Sequence, residues 1–325
     1  MRTIAASTLI LGALLCTGTS SATDFSWTTL DYPGADSTFL YGIDNGKMVG
    51  WYRETGGEGA VIDSGFVYDQ DTSQWSSLNY PFGSDTHLHA IQGDTVVGSY
   101  KDSADQRHGI AYDLQTNQWT SYGSVNGAPA SDIFGLDGDK MVGYSVDSSM
   151  VKHGSYFDGS QWNTLNYPDQ DAGVSNSFFH AINGQHIIGS YVDHGVSPAV
   201  EHGIVYDIDN QQWNTLDHPH ASQTYLYEIE GAYLVGAFKD SHGYHGFHYD
   251  SVMDEWQTLD HPQGDQTALH GIDGNSLVGF YHDSSGGIHG FLVTGEFGQT
   301  QVVPEPAALF LAIVGLALLP RRRRR

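Results

Sequence analysis

The chain has 325 residues, a formal net charge of −25 and a single cysteine. Between residues 23 and 300 it carries 37 acidic residues against seven basic ones. A body with this charge repels phosphate backbones, so nucleic-acid binding is excluded. One cysteine also excludes a disulfide framework, and packing and hydrogen bonding must stabilise the fold instead.

The N-terminal segment (residues 1–22) has the pattern of a secretory signal peptide. Arg2 supplies a positive start, residues 4–15 are mostly apolar, and small residues precede a cleavage site after Ala22. Such a segment is removed on export, so the sequence predicts an exported protein. The alternatives are an uncleaved N-terminal anchor and a lipid attached to Cys16.

The body, residues 23–300, is internally repetitive. A tryptophan opens each repeat, at spacings of 43 to 51 residues: Trp27, Trp75, Trp119, Trp162, Trp213 and Trp256. Each repeat holds four short segments rich in aromatic and β-branched residues, separated by turn residues such as Asn45-Gly46. No segment has sustained helical periodicity. Six such repeats predict an all-β fold, a six-bladed β-propeller of four-stranded blades.

The other three segments of each repeat also carry residues that recur at the same position, which we call columns. The second segment ends in a Gly-Ile-like pair such as Gly42-Ile43, and the fourth runs from a glycine to an aromatic residue and Asp. The third carries Val-Gly or Ile-Gly at Gly50, Gly98, Gly143, Gly189, Gly236 and Gly279. The chain starts with a lone Trp-type strand and ends its last repeat without one. We therefore expect the N-terminal strand to close the ring, which removes exposed sheet edges, and the Gly-Ile segment to lie nearest the axis.

Short motifs recur within these repeats: His245-Gly246-Phe247, His289-Gly290-Phe291, and Tyr41-Gly42-Ile43 followed by Val49-Gly50. They resemble the HAF family of extracellular bacterial repeats, although this chain has Gly where the family name expects Ala. The resemblance covers nearly the whole body, from Trp27 to about Phe297. It implies an extracellular location and a propeller-like fold, and it implies no chemistry.

One column of the Gly-Ile segment places histidine in alternate repeats: Tyr41, His89, Phe134, His180, Tyr227 and His270. If these side chains reached the axis, His89, His180 and His270 would form a three-histidine site with an open fourth position, which suits zinc. Packing between blades as partly polar rings is the alternative. We expect no cofactor, and calcium and zinc are the cations that the sequence leaves open.

A His-Gly column (His108, His153, His202, His245, His289) follows an acidic column (Asp102, Asp147, Asp193, Asp240, Asp283). Because both recur in five repeats, we expect hydrogen-bonded pairs that fix the loops; a cation site in each blade is the alternative. The insertions at 53–63, 121–130 and 194–201 have the composition of surface loops. Nucleophile and phosphate-binding motifs are absent from the sequence, and no asymmetric acid, base or metal cluster is apparent, so a catalytic site is not expected.

The last 25 residues (301–325) form a separate tail. A Val-Pro-Glu-Pro motif precedes a 13-residue apolar run, and five arginines end the chain: Val303, Pro304, Glu305, Pro306 and then Arg321, Arg322, Arg323, Arg324, Arg325. A helix of 13 residues spans roughly 20 Å, short of the ~30 Å hydrocarbon core of a bilayer. The arginines would stay on the cytoplasmic side.

These three parts, in this order, resemble the PEP-CTERM sorting signal. The resemblance implies recognition by an exosortase, which is a membrane transpeptidase, and processing near the Pro-Glu-Pro motif. It also implies transient anchoring in the inner membrane, then delivery to the outer surface or extracellular matrix of a Gram-negative bacterium that makes extracellular polysaccharide. An ordinary single-pass anchor is the alternative.

Together these features predict an exported, C-terminally sorted protein of the cell surface or extracellular matrix. Its propeller would be a non-catalytic platform for binding, with extracellular polysaccharide as the natural partner. One alternative is an extracellular propeller hydrolase or lyase that acts on polymer, with or without a metal. Another is a purely structural coat or adhesion protein.

Overall fold

The computed structural model describes residues 25–123, 125–128, 130–168 and 176–297. The predicted signal peptide and the predicted sorting tail lie outside these residues. Within the described part of the chain, no helix is long and apolar enough to cross a membrane.

The described residues form 24 strands, with two short 3₁₀ turns at Gly57–Gly59 and Val125–Gly127. The first strand is β1 (Ser26–Thr29). The next twelve are β2 (Ser37–Asp44), β3 (Lys47–Thr55), β4 (Val61–Asp69), β5 (Gln74–Ser77), β6 (Ser84–Gln92), β7 (Thr95–Lys101), β8 (Arg107–Asp113), β9 (Gln118–Gly123), β10 (Ala130–Asp137), β11 (Lys140–Val146), β12 (Lys152–Phe157) and β13 (Trp162–Leu165). The last eleven are β14 (Asn176–Asn183), β15 (His186–Asp193), β16 (Val200–Asp207), β17 (Gln212–Thr215), β18 (Gln223–Glu230), β19 (Tyr233–Lys239), β20 (Tyr244–Asp250), β21 (Glu255–Thr258), β22 (Gln266–Asp273), β23 (Ser276–His282) and β24 (Ile288–Thr294).

The strands pair in sequence order as antiparallel sheets. Four sheets have four strands each: β6–β9, β10–β13, β14–β17 and β18–β21. The other eight strands share one sheet, but a single parallel bridge between Ser37 and Ile288 is all that joins β2 to β24. That sheet is therefore two four-stranded groups, and the prediction of an all-β chain with four strands per repeat is confirmed. We number the units 1 (β2–β5), 2 (β6–β9), 3 (β10–β13), 4 (β14–β17), 5 (β18–β21) and 6 (β22–β24 with β1).

The N-terminal strand pairs with the last strand of the repeats, as the sequence predicted. Trp27 lies opposite Val293, and the antiparallel register runs from Ser26 with Thr294 to Thr29 with Phe291. Each of the six tryptophans that open a sequence repeat thus lies on the fourth strand of a sheet. The sequence repeats and the sheets are therefore offset by one strand.

Hydrogen bonds between the hairpin turns tie each unit to the next. The last polar residue of the first strand in one unit accepts a bond from a turn N–H in the following unit, at 2.6–3.3 Å. The acceptors and donors are Asp44 and Gly93, Gln92 and Gly138, Asp137 and Gly184, Asn183 and Gly231, Glu230 and Gly274, and Asp273 and Asn45. The sixth bond returns to the first unit, so the series is continuous.

A bulge in the first strand explains the Val-Gly column. In unit 4 the register shifts between Phe179 and Ala181, opposite Gly189. A Cβ atom added to Gly189 would lie 1.8 Å from the carbonyl oxygen of Phe178. The equivalent distances at the other five glycines of the column are 1.9–2.0 Å. The backbone of the first strand therefore approaches so closely that only glycine fits.

The hydrophobic core lies between neighbouring units. One cluster joins Ala181 and Ile188 of unit 4 to Leu226 and Phe247 of unit 5, and Trp256 packs against its edge. Other clusters combine units in the same way. The aromatic and branched residues of the repeats thus form a core that runs from unit to unit.

The buried residue His248 makes stability depend on pH. It is 2% exposed, its Nε2 atom has no hydrogen-bond partner, and burial lowers its pKa to about 4 while Asp250 opposes the shift. Unfolded histidine has a pKa of ~6.5. The stabilisation from this neutral ring is therefore fully present above about pH 6.5 and is lost as the pH falls through about 4.

His248→Phe replaces the imidazole with an aromatic ring that does not titrate. Between pH 6.5 and 4 we expect the free energy of unfolding of the variant to fall by about 2–3 kcal/mol less than that of the wild-type protein. Urea unfolding of both proteins at several pH values measures the difference. Equal losses in the two proteins would contradict this role of His248.

Candidate functional site

Six side chains from the first strands of the units surround a central cavity of about 210 Å³: Tyr41, His89, Phe134, His180, Tyr227 and His270. Their rings contact one another in that order, and His270 contacts Tyr41. The centroid distances are 5.0, 4.3, 5.3, 5.1, 4.0 and 4.4 Å. Glu228 and Phe280 complete the lining. The Gly-Ile strands are therefore innermost, as expected from the sequence.

The three histidines of this column reach one cavity, but they are arranged as packed rings and not as the zinc site that was the other interpretation of the column. An aromatic ring stands between each pair, and His89 and His270 stack on Phe134 and Tyr227 at interplanar angles of 26° and 17°. The Nδ1 atom of His180 donates to the carbonyl oxygen of Leu226 at 3.0 Å. Among the described residues, no group of three or more His, Cys, Asp or Glu side chains could hold a metal ion. The alternation was visible in the sequence, but the imidazoles are used for stacking.

Several buried polar atoms beside the cavity lack hydrogen bonds. They are both ring nitrogens of His89, Nε2 of His270 and Oδ1 of Asp132. His89 Nε2 and Asp132 Oδ1 lie 3.3 Å apart and interact with each other. A buried polar atom with no partner destabilises a protein by about 1–3 kcal/mol. A polar molecule in the cavity would satisfy them.

The lining of the cavity is polar but largely uncharged near neutral pH. Burial lowers the pKa of His180 to about 4 and that of His270 well below the usual value. Burial also raises the pKa of Glu228 to about 8, against the hydrogen bond that Glu228 accepts from the N–H of Ile229. These imidazoles are therefore neutral and the Glu228 carboxyl is protonated at pH 7. The lining offers hydrogen bonds rather than charge.

A second pocket of about 350 Å³ shares Tyr227 and Phe280 with the cavity. Its other lining residues include Tyr225, Tyr244 and His282. Ligand pockets of about 300–1,000 Å³ with aromatic walls and a few polar groups are typical of small-molecule sites. The cavity and this pocket together have the size and lining of such a site.

A charged cluster lies beside the cavity on units 1 and 2. Arg53 binds Asp63 with two hydrogen bonds of 2.7 and 2.9 Å, and His87 Nε2 lies 3.0 Å from the second carboxylate oxygen. The same His87 nitrogen is 3.2 Å from Arg107 Nη2. One nitrogen cannot donate to Asp63 and accept from Arg107 at once, so its proton selects one of the two contacts.

The environment of this cluster fixes its protonation near neutral pH. Burial lowers the pKa of His87 to about 4, although the hydrogen bond to Asp63 opposes the shift. Burial also disfavours ionised Asp63, but hydrogen bonds from His87 and Arg53 hold its pKa well below the usual range. The ring of His87 stacks on Trp51 at 4.1 Å. The cluster thus combines a neutral imidazole, a carboxylate and two guanidinium groups.

This cluster was not predicted from the sequence. Residues 53–63 were expected to be a surface loop, but only the central turn is one, and Arg53 pairs with Asp63 in an extended hairpin of β3 and β4. Residues 194–199 form the expected exposed loop, whereas Glu201 belongs to β16 and accepts a 2.6 Å hydrogen bond from Ser190. The sequence did contain a signal for the cluster. The residue before each His-Gly or Ser-Gly pair differs in charge from one repeat to the next: Asp63, Arg107, Lys152, Glu201, Tyr244 and Ile288.

The repeated Asp and His columns form the expected hydrogen-bonded pairs in four units. The pairs are Asp102–His108, Asp147–His153, Asp240–His245 and Asp283–His289, at 2.8–3.3 Å. Unit 4 departs from this pattern: His202 binds Asp217 at 2.7 Å, and Asp193 accepts from the N–H of Gly195. Burial opposes protonation of His245, but Asp260 and Asp240 raise its pKa. These pairs fix loops at the sheet ends.

Comparison with known proteins identifies the fold. No protein-family model and no curated protein matches the chain. The β-propeller domain of the trilobed protease from Pyrococcus furiosus is 9% identical at a TM-score of 0.54, over 81% of this chain and 95% of that domain. TolB from Acinetobacter baumannii is 15% identical at a TM-score of 0.51, over 77% of this chain and 65% of that one. A putative TolB from Agrobacterium tumefaciens is 11% identical at a TM-score of 0.51, over 81% and 98%.

The fold is a β-propeller. Because the identities are this low, the comparisons show the fold alone, and the chain spans less than two thirds of the Acinetobacter protein. The four-stranded units are the blades of the propeller, and the cavity lies among their innermost strands. The Pyrococcus domain has an open velcro topology, whereas β1 of this propeller pairs with β24.

Proposed function

We propose that this protein is a closed, six-bladed propeller that is exported to the cell surface or extracellular matrix and binds carbohydrate without catalysis. Three observations support closure in six blades: the β1–β24 pairing, the continuous series of turn hydrogen bonds, and the ring of six side chains around the cavity. Export, sorting by an exosortase and association with extracellular polysaccharide rest on the sequence of residues 1–22 and 301–325.

The observation that carries the binding function is the set of unpartnered polar atoms in an aromatic cavity. The wall residues His89 and His270 have buried ring nitrogens without hydrogen bonds, while Tyr41, Phe134 and Tyr227 supply ring faces. Sugars offer hydroxyls to the first group and apolar C–H faces to the second. A carbohydrate therefore matches both kinds of wall residue.

Binding is tested with His89→Phe, which keeps an aromatic ring and removes two unpartnered nitrogens. We expect wild-type protein to be retarded in gels containing polysaccharide, and the variant to bind about 10-fold more weakly, the effect of one hydrogen bond. His248→Phe is the matched control, because it removes another buried imidazole, on β20, that does not line the cavity. Absence of binding to every neutral and acidic polysaccharide would contradict the proposal.

The second candidate function is an extracellular hydrolase or lyase that acts on polymer. The cluster of Asp63, His87 and Arg107 favours it, because it supplies the asymmetric acid, base and cation that the repeats do not provide. The same polysaccharides distinguish the two functions. Shortened products that disappear in His87→Gln would establish an enzyme, whereas retardation of intact polymer without products supports binding.

A further inference from the structure

Two cations near the central cavity, Arg107 and Lys152, form no ion pair with a described side chain, although Asp132 attracts both over a longer distance. The body contains seven basic residues among 37 acidic ones, and Arg53 and Lys101 form ion pairs with carboxylates. Among the described residues, Arg107 donates to Ser99 Oγ at 3.0 Å, and its Nη2 lies 3.2 Å from His87 Nε2, which accepts only when it does not donate to Asp63. A guanidinium carries five N–H donors. Arg107 therefore keeps donors for a further partner.

Lys152 is placed in a similar way on the next blade. Its ammonium lies 4.7 and 4.8 Å from the ring centres of Tyr144 and Phe178, and it has no carboxylate within 4 Å among the described side chains. Burial lowers its pKa, although Asp132 and Glu201 oppose the shift. A half-buried ammonium without an ion pair is costly. Binding of an anion would remove that cost.

Both cations are next to the cavity wall. Arg107 contacts His87, whose ring lies 6.2 Å from that of the wall residue His89. Lys152 lies on Tyr144, whose ring is 5.7 Å from that of the wall residue Phe134. They occupy the same position on consecutive blades, the first residue of β8 and the first of β12. Both cations therefore lie behind neighbouring wall residues, at the same end of consecutive blades.

The buried polar atoms at the same place require hydroxyl groups. Asp132 and His89 have side chains only 5% and 4% exposed, yet Asp132 Oδ1 and both nitrogens of His89 are without hydrogen bonds. Asp132 also interacts electrostatically with both Arg107 and Lys152. A hydroxyl can donate to the carboxylate and accept from an imidazole. An anion without a hydroxyl, such as sulfate, could not donate to Asp132.

We propose that the ligand is an acidic carbohydrate, a uronate-bearing oligosaccharide, whose carboxylate is bound by Arg107 and Lys152 and whose hydroxyls bond to Asp132 and His89. The inference rests on the proposed carbohydrate-binding function and names its substrate class. The adjacent pocket of about 350 Å³, with Tyr225 and Tyr244 in its wall, accommodates further sugar rings. Neutral sugars satisfy the hydroxyl partners but leave both cations without an anion.

The acidic surface of the protein sets the conditions for the test. A body with 37 acidic residues repels a polyanion at low ionic strength. At ~0.15 M salt the Debye length is ~8 Å, so distant charges are screened while half-buried pairs are screened much less. The affinity of short oligosaccharides at this salt concentration therefore depends mainly on their contacts with the half-buried charges of the site.

The test is titration calorimetry of the full chain with a trigalacturonate and with the same trisaccharide after reduction of its carboxyl groups. We expect the acidic form to bind about 10-fold or more tightly than the reduced form, the effect of one charge-assisted contact. Arg107→Gln and Lys152→Gln should each remove most of this preference. Lys140→Gln, in a hairpin at the opposite sheet end, is the control for the change in net charge and should retain it.

Each outcome has a clear meaning. Equal affinity for the two trisaccharides would overturn the acidic ligand and leave carbohydrate binding intact. A preference for the acidic form that survives both variants would overturn the assignment of Arg107 and Lys152. Binding of neither trisaccharide, by a chain whose thermal unfolding is normal, would overturn the proposed function as well. If Arg107→Gln does not fold, Lys152→Gln tests the site independently.

Discussion

Replacing Gly189 by alanine is expected to lower the free energy of unfolding by roughly 3 kcal/mol or more. The added Cβ would lie 1.8 Å from the carbonyl oxygen of Phe178 and 2.9 Å from the Cα of Phe179. Both neighbours are backbone, so no side-chain rotation relieves the overlap. The bulge between Phe179 and Ala181 would have to move, and with it the inner strand that positions His180.

Gly57→Ala is the matched control for this substitution. Gly57 lies in the exposed 3₁₀ turn of the hairpin, and an added Cβ would meet nothing within 4 Å. We expect its effect to be within about 0.5 kcal/mol, as for most surface substitutions. Urea unfolding of the two variants compares them directly. Similar stability of Gly189→Ala and Gly57→Ala would mean that the bulge relaxes easily, and the explanation of the glycine column would then be wrong.

Deleting residues 26–31 is expected to destabilise the propeller by at least about 3 kcal/mol, the effect of removing one packed tryptophan. Trp27 packs on Phe291 at 5.3 Å, and the deletion also removes the backbone pairs of β24 and the hydrogen bond between Asp31 and His289. The free edge of β24 would then invite pairing with other chains. Thermal unfolding and light scattering should show a lower transition temperature and larger particles.

A peptide of residues 25–33 provides the control for the deletion. Added in excess, it should pair with β24, restore much of the transition temperature and reduce the scattering, because the lost contacts are carried by the strand itself. A peptide of scrambled sequence should do neither. A deleted chain as stable and as monodisperse as the full one would show that β1 is dispensable.

Much of the fold was predictable because it depends on local patterns that repeat. The six tryptophans marked the repeats, and the four segments in each repeat predicted the number of strands and their order. The lone strand at Trp27 was predicted to complete the last repeat. The column from Tyr41 to His270 was correctly placed on the innermost strand. The Val-Gly column was visible too, but its reason was not, because the clash at Gly189 involves a bulge on the neighbouring strand.

The charged cluster could not be predicted because it joins residues that are distant in the chain. Asp63, His87 and Arg107 meet only when the register of two sheets is known, and a glycine-rich stretch at 56–59 hid the ends of an extended hairpin. The choice between ring packing and a zinc site could not be made from the sequence for a related reason. Alternation placed the histidines at the cavity, but no sequence pattern shows that they stack on Phe134 and Tyr227.

One exception in the repeats has a local cause. Asp193 was expected to bind His202, but the insertion after it lengthens the turn and the two side chains do not pair. The carboxylate keeps the bond to the N–H two residues on, at Gly195, that the other four acids of the column also make. His202 keeps its bond to Asp217, as His245 does to Asp260 and His289 to Asp31. The acidic column therefore predicted Asp–His pairs correctly only in the units that lack this insertion.

The offset between sequence repeats and sheets constrains how gene duplication can add repeats to such a chain. Each repeat gives its tryptophan strand to the preceding sheet and three strands to its own, so no repeat encodes a complete sheet. Duplication of a gene segment that begins at a tryptophan would add a repeat interlocked with both neighbours rather than an independent module. A fragment of a few repeats would begin with an orphan strand and end with a three-stranded sheet, and two such fragments can complete each other.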